Sequence, residues 1–541
     1  MEPLKERDAV LDLIEHGDMP AFGPANDNRE ETKGAGSSAP LTSPDKTEPR
    51  KRCRPSSKDA LIRVAEGCDL WRNHQNVAFA SYSVRGHIEH SPIRGSAFRI
   101  WLAGKYYEAT NSAAGNQAIE DCLRLLEARA LFSGERRDTF IRVGRCNDTI
   151  WIDLGNDAWE VIEVDRHGWR VVSNAPVMFV RPAAMKALPP PEAGGMLEEL
   201  RPFCNVSSEA EFHLIAAWLV RAWQTDGAFP ALVVNGEAGS GKSSFCRMIR
   251  DLVDPAVAPI RSPPKDEEDL IVAAANSWVL AYDNLSSISP SMSDAIARIC
   301  TGGGFSTRAK YTNDSEFVVE AARPVLLNGI PMLTDRADLA ERSLTIHLQA
   351  ISESVRRTET ELLADFDRAR PRIMATILDG VSAALRNWDT VRLDKMPRLA
   401  GFAKWITAAE PGLGWEPNSF LPGFMANQVD VSEAAFEADM VAVAIFKFIT
   451  RADWPDGWNG TATELLAFLN NKVSDTVRKA RRWPANPSAM GNAFTRAAPG
   501  LRKKGFITDR VHSGERTITL IPPAGSTVPR ASGPMDDEVP V

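Results

Sequence analysis

The chain has no C-x-x-C pair, no apolar run long enough to cross a bilayer and no excess of positive charge. Its seven cysteines (53, 68, 122, 146, 204, 246 and 300) are odd in number and scattered, which argues against both a disulfide framework and a zinc site. They read as reduced thiols, so the chain is expected in the cytoplasm, without a signal peptide or membrane span. A formal net charge of −8 removes any global basic field, so nucleic acid would have to be met by local patches. With 541 residues, 44% hydrophobic, there is enough apolar material for ordinary cores and about three or four domains.

What is present centres on residues 231–243, ALVVNGEAGSGKS. Ala231 to Val234 reads as a short buried strand, and Lys242 and Ser243 open a helix. The spacing of Gly236, Gly241, Lys242 and Ser243 fits the phosphate-binding loop G-x-x-x-x-G-K-[ST]. Glycines let successive backbone N–H groups turn inward onto phosphates, and the helix N-terminus adds partial positive charge. Residues Gly236, Glu237, Ala238, Gly239, Ser240, Gly241, Lys242, Ser243 and Ser244 are therefore expected to bind ATP. Lys242 would reach the β- and γ-phosphates, and the Ser243 hydroxyl would ligate Mg²⁺.

Downstream, Ser277 to Asp283 is an apolar strand ending in an acid, suited to the second nucleotide motif, where Asp283 joins Ser243 around Mg²⁺. Asn284 stands where many such ATPases carry a glutamate that activates the attacking water. Pro324 to Leu327 is a third strand whose tip, Asn328, would sense the γ-phosphate or orient that water. Arg342, in DLAERSL, is either a cation for a neighbour's nucleotide or a helix-end salt bridge. The glycine-rich segment 301–311 carries Arg308, Lys310 and Tyr311, which read either as a nucleic-acid hairpin with an aromatic for stacking or as a solvated surface hairpin.

The rest divides by composition. Residues 1–57 and 523–541 are rich in charge, Pro, Gly and Ser and are expected to be disordered. Residues 58–187 read as a separate α/β domain, with strands expected at 76–82, 139–143, 149–153, 159–164 and 169–172 and helices at 96–107 and 117–130. The aspartates at 148, 153, 157 and 165 are assigned to turn chemistry rather than a metal, and His87 and His90 to the surface. Residues 188–196 are a Pro/Gly linker, 197–351 the ATPase core and 352–434 a helical subdomain. Residues 435–522 combine helices, one with a Thr461/Glu464 capping box and one capped by Ser488, with a final two-strand ribbon. That is a winged-helix pattern, locally basic through residues such as Arg496, Arg502, Lys503 and Lys504, and suited to duplex DNA or to protein contacts alone.

With GEAGSGKSS at 236–244, WVLAYDNLSS at 278–287, TGGGFSTRAKY at 301–311, RPVLLNGI at 323–330 and DLAERSL at 338–344, the chain resembles the superfamily III replication helicases of phages and plasmids. The resemblance covers residues 200–522 and implies an α/β fold: a P-loop AAA+ ATPase core with an N-terminal α/β domain and a C-terminal winged helix. It further implies a homo-hexamer or similar ring with single-stranded DNA in its channel, gripped by Arg308 and Lys310. Asn328 would be the sensor, Arg342 an arginine finger entering the adjacent subunit, and a primase or other replication protein a possible partner. Asn284 departs from the family's acidic pair, and residues 58–187 match no primase motif. The expected activity is ATP-dependent DNA unwinding for a phage, plasmid or integrated element. The alternatives are an ATP-switched initiator, loader or regulator that does not unwind, and an ATPase in defence against phages.

Overall fold

A computed structural model describes residues 56–285, 288–308, 316–320, 322–329, 337–451, 453–511 and 517–523 and shows a mixed α/β protein. The terminal tails expected at 1–57 and 523–541 lie almost wholly outside the described residues. The first of them stops short, because Ser56 accepts a hydrogen bond from the Asp59 amide and caps a helix, Ser57–Ala65.

A three-stranded antiparallel sheet follows (Asp69–Arg72, Ala78–Val84, His87–Pro92), covered by helices Ser96–Thr110 and Asn116–Ser133. Leu61, Phe98, Leu102, Leu123 and Leu126 close this layer with a core of their own. The expected strand at 76–82 is present as Ala78–Val84, but nothing in the sequence marks Asp69–Arg72 or His87–Pro92, which are short and mixed in polarity. His90 is not a surface residue: its Nδ1 lies 2.8 Å from the Ser81 hydroxyl, which also accepts from the Trp71 indole.

Next comes a four-stranded meander, Val143–Cys146, Thr149–Asp153, Val161–Asp165 and Gly168–Val172. Composition divides the chain at 187/188, but packing divides it earlier. Val143, Ile150, Ile152, Ile162 and Val164 share one core with Trp218, Leu232 and Ile377. The meander's apolar face is covered by the long helix Glu359–Asn387, which also bonds its turns: the Ser382 hydroxyl donates to the Asp165 carbonyl at 2.7 Å, and the Trp169 indole to Asp379 at 2.9 Å. Asp165 itself accepts from the amides of His167 and Gly168, the turn role expected of it, whereas Asp153 is buried and receives Arg181. The Pro/Gly linker is laid against the same helix, with the Glu192 amide donating to the Pro371 carbonyl.

A buried ion pair ties the meander to the centre of the molecule. Arg142, fully buried, donates from Nε to Asp254 at 3.2 Å, and Asp254 also accepts the amides of Trp278 and Val279 at 3.0 and 3.1 Å. Every member is multiply bonded, the condition under which a buried pair is tolerated.

The central sheet is parallel, in the order Leu280–Leu285, Val325–Gly329, Ala231–Gly236, Ser343–Leu348. Its strands are apolar on both faces because helices cover both: Glu209–Ala222 and Lys242–Asp251 on one side, Glu267–Asn276 and Pro290–Thr301 on the other. The outer edge of Ser343–Leu348 is closed by side chains. Asn427 donates to the Thr345 carbonyl at 2.7 Å and accepts from its amide at 3.2 Å, Gln428 donates to the Ser343 carbonyl, and Glu211 accepts the His347 amide.

Helix Phe420–Ala438 runs into the last layer, where Met440–Phe448, Ala462–Asn470 and Pro487–Lys503 pack on a sheet ordered Trp458–Thr461, Thr517–Ile521, Ile507–Arg510. The Thr461/Glu464 capping box is present, both bonds formed. The cap of the last helix is Asn486 rather than Ser488, since Pro487 takes the first helical position and the Asn486 side chain accepts from Ala489. The expected ribbon gains a third strand, Trp458–Thr461, too short and glycine-containing to stand out in sequence.

Candidate nucleotide site

Three strand tips converge at the carboxyl end of the parallel sheet, where open α/β sheets hold their ligands. The loop leaves the first at Gly236, with φ +155°, and turns through Gly239 and Gly241 at φ +82° and +81°. A Cβ on Gly236 would lie 2.6 Å from the Ser240 hydroxyl and 2.9 Å from the Leu348 carbonyl, so the loop is folded tightly around that position. Gly241 then caps the helix Lys242–Asp251, whose N-terminus faces the loop. The Lys242 ammonium donates to the carbonyls of Gly236 and Glu237, at 2.7 Å each, and so spans the loop from below.

From the second tip, Asp283 accepts the Ser243 hydroxyl at 3.1 Å from each carboxylate oxygen. Strand pairing shifts register between Tyr282 and Leu285, and Asn284 sits within that irregularity at φ +57°, exposed, its amide donating back to Asp283. Asparagine adopts that conformation more cheaply than most residues. From the third tip, the buried Asn328 donates to Asp283 and approaches the Ser243 hydroxyl at 3.4 Å. Ser243 and Asp283 thus bring hard oxygens together beside a helix N-terminus, with the Asn328 amide nitrogen donating to both, an arrangement suited to a divalent cation with an anion.

Arg342 is not part of that cluster. It donates to the Asp338 carbonyl and carboxylate at 2.9 and 3.0 Å and directly precedes Ser343. Ser343 pairs with Ala231, while Leu348 pairs with Gly236. The intervening strand length, about 17 Å, separates Arg342 from its own loop. Arg356 was not singled out in sequence, because nothing in its context marks it. Its guanidinium lies 3.8 Å from where a Cβ on Gly239 would sit.

The segment of the expected hairpin is one: Gly304–Arg308 pairs antiparallel with Glu316–Glu320, Arg308 opposite Glu316, while Lys310 and Tyr311 lie outside the described residues. In the last layer Arg496 is exposed and Arg502 donates to Thr508. Lys503 and Lys504 instead turn to the body of the protein, Lys503 to Glu341 at 2.8 Å and Lys504 to Glu433 at 2.9 Å. Among the described residues no helix is long and apolar enough to cross a membrane.

Residues 197–412 match the family model of the actinomycete integrative conjugative element replication protein, and residues 441–532 match the model of that protein's C-terminal domain. No curated protein matches the chain. Among solved structures it is similar to the A form apo structure of the NrS-1 C-terminal region, at a TM-score of 0.37 and 11% identity over 86% of this chain and 98% of that one. A second, the apo structure of NrS-1 residues 305–718, gives 0.36 and 10% over 86% and 99%. Over the two stretches that the family models cover, the chain matches a replication protein of mobile elements.

Proposed function

We propose that this protein is an ATP-dependent DNA motor, a ring-forming helicase of the superfamily III kind, that works in replication of a mobile element. The observation that carries the reading is the cluster of Ser243, Asp283 and Asn328 on three adjacent strand tips beside the loop of Lys242. The strand order, with Val325–Gly329 inserted between the loop strand and the Asp283 strand, supports a P-loop AAA+ core. The three helices and three-stranded sheet of residues 440–521 support a winged helix.

The residues fit Mg-ATP. The loop amides and Lys242 would hold the phosphates, releasing the ammonium from the Gly236 and Glu237 carbonyls. Ser243 and Asp283 would hold Mg²⁺, which when bound neutralises charge on the phosphates. Asn328 holds Asp283 in place and would orient the attacking water. Arg356 adds a cation over the loop from its own chain. Arg342, too far from its own loop, would complete the site of a neighbouring subunit, which makes assembly a condition of turnover. The strands 304–308 and 316–320 would present Arg308 and its neighbours to a single strand.

The test is ATP hydrolysis with and without single-stranded DNA, alongside strand displacement on a forked duplex. Wild type is expected to be DNA-stimulated and to unwind. Lys242→Ala should lose nucleotide binding, and Arg342→Ala should keep binding but lose turnover by roughly a thousandfold or more. One observation favours a second reading: Asn284, where an acid would activate water, is exposed and carries no carboxylate. If ATP binds but turnover stays at background and no strand is displaced, the motor fails and an ATP-switched initiator or loader takes its place.

A further inference from the structure

We infer that Lys503 and Lys504 form a latch. In the free chain they hold the C-terminal layer against the segment that carries Arg342, and nucleic-acid phosphate is the partner that takes them away. The inference rests on the reading above in two respects, that a phosphate backbone reaches the C-terminal layer and that Arg342 serves a neighbour's site.

The contacts run in an unbroken series. The Lys503 ammonium lies 2.8 Å from Glu341 and 2.9 Å from the Ser432 hydroxyl. Glu341, a direct neighbour of Arg342, also accepts Arg398, and Arg398 lies 3.7 Å from Asp338. Asp338 is the carboxylate that binds Arg342. Lys504 adds a parallel tie to Glu433. The position of the C-terminal layer is therefore linked, pair by pair, to the side chain proposed to enter a neighbour's site.

The seam is built to open. Its apolar part includes Phe436, against whose ring Gly500 is packed closely enough that a Cβ there would meet it at 2.9 Å. Beside it lies a cavity of about 330 Å³, walled by Asp338, Glu341, Arg398, Arg496 and Lys503. Both lysines are at least a third exposed, at 53% and 35%, and Glu433 is exposed too, so the Lys504 tie is a weak pair weakened further by salt, while Glu341 is only 14% exposed and holds Lys503 more firmly. An ammonium is a point charge that a phosphate satisfies as well as a carboxylate does. Arg496 lies two helical turns before Lys503 on the same helix face and lines the same cavity, so a phosphate arriving there meets two cations.

Release of Lys503 and Lys504 would leave Glu341, Arg398 and Asp338 to rearrange and Arg342 free to leave Asp338. DNA at the C-terminal layer would in this way promote completion of the neighbouring nucleotide site.

The experiment is DNA binding by the full chain at low salt, read by fluorescence anisotropy on a labelled duplex. It compares wild type with Glu341→Gln/Glu433→Gln, with Lys503→Gln/Lys504→Gln and with all four changes together. Neutralising the two acids is expected to tighten binding by roughly threefold or more, with the exposed Glu433 pair supplying the smaller share. Removing the lysines should weaken it, and in the fourfold variant the acid changes should have no further effect. Amide exchange over residues 338–342 should rise when wild type binds DNA. If losing the acids leaves affinity unchanged while losing the lysines lowers it, the lysines touch DNA without being latched and the inference is overturned. If losing the lysines changes nothing in a chain that still binds DNA, they are structural only, and the DNA reading survives alone. If neither wild type nor any variant binds DNA, both readings fall. Glu433→Gln alone, on an exposed helix surface, covers the case in which the Glu341 variant does not fold, with the same direction and a smaller change.

Discussion

Gly236 joins strand to loop at φ +155°, a backbone region that side chains disfavour, and a methyl there would also collide with the Ser240 hydroxyl and the Leu348 carbonyl. Gly236→Ala is therefore expected to weaken nucleotide binding by at least tenfold, from about 1–3 kcal/mol of backbone strain, in a titration with a fluorescent ATP analogue. Unchanged affinity would mean that the loop relaxes around the methyl. At this scale the sequence was highly legible, because the loop's chemistry depends on residue types at fixed spacing. Gly236, Lys242 and Ser243 stand where that spacing expects them, and Asp283 and Asn328 are brought to them by strands visible as apolar runs. Arg356 was illegible. A lone arginine in a polar segment carries no spacing signal, and only the fold brings it over Gly239.

Among the elements, the sheet of residues 69–92 carries a pH dependence. The Trp71 indole donates to the Ser81 hydroxyl, which also shares a hydrogen bond with His90 Nδ1. Burial, with help from the Arg137 guanidinium, pushes His90 down to about 4. The unfolded chain takes up this proton near its ordinary value of about 6.5, while the folded chain does not until about 4. Stability should thus fall as pH drops through that window, by on the order of 1–3 kcal/mol, and level off below it. His90→Gln should flatten this part of the profile in thermal melts at pH 7, 6 and 5, and an identical slope in both proteins would refute the assignment. Long periodic helices such as Asn116–Ser133 and Glu359–Asn387 were legible at this scale, as was the Thr461 capping box. Short strands such as Asp69–Arg72 and Trp458–Thr461 were not. Four residues hold too little alternation to signal a strand, and pairing partners far along the chain make them one.

For the whole molecule, the division of labour is less modular than composition suggests. A linker rich in proline and glycine invites a boundary at 187/188, yet the meander of residues 143–172 is stitched to the central parallel sheet by Arg142 and Asp254. Arg142→Ala would leave Asp254 buried with one partner fewer and is expected to cost about 3–5 kcal/mol in denaturant unfolding. A loss confined to the N-terminal layer, with the central core melting as before, would argue that the two are independent. Composition could not have shown this, because which face of a sheet meets which helix is decided between segments 200 residues apart. The sheet's far edge has a consequence of its own. Asn427 offers the Thr345 backbone the same donor and acceptor that an added strand would, and Gln428 and Glu211 extend the imitation to either side. A strand from another molecule finds that side already taken. A fragment ending near residue 412, where the first family match stops, would keep Glu211 but lose Asn427 and Gln428, leaving the Ser343 and Thr345 backbone open to edge-to-edge association. The smallest soluble piece built around the parallel sheet should therefore include the helix Phe420–Ala438.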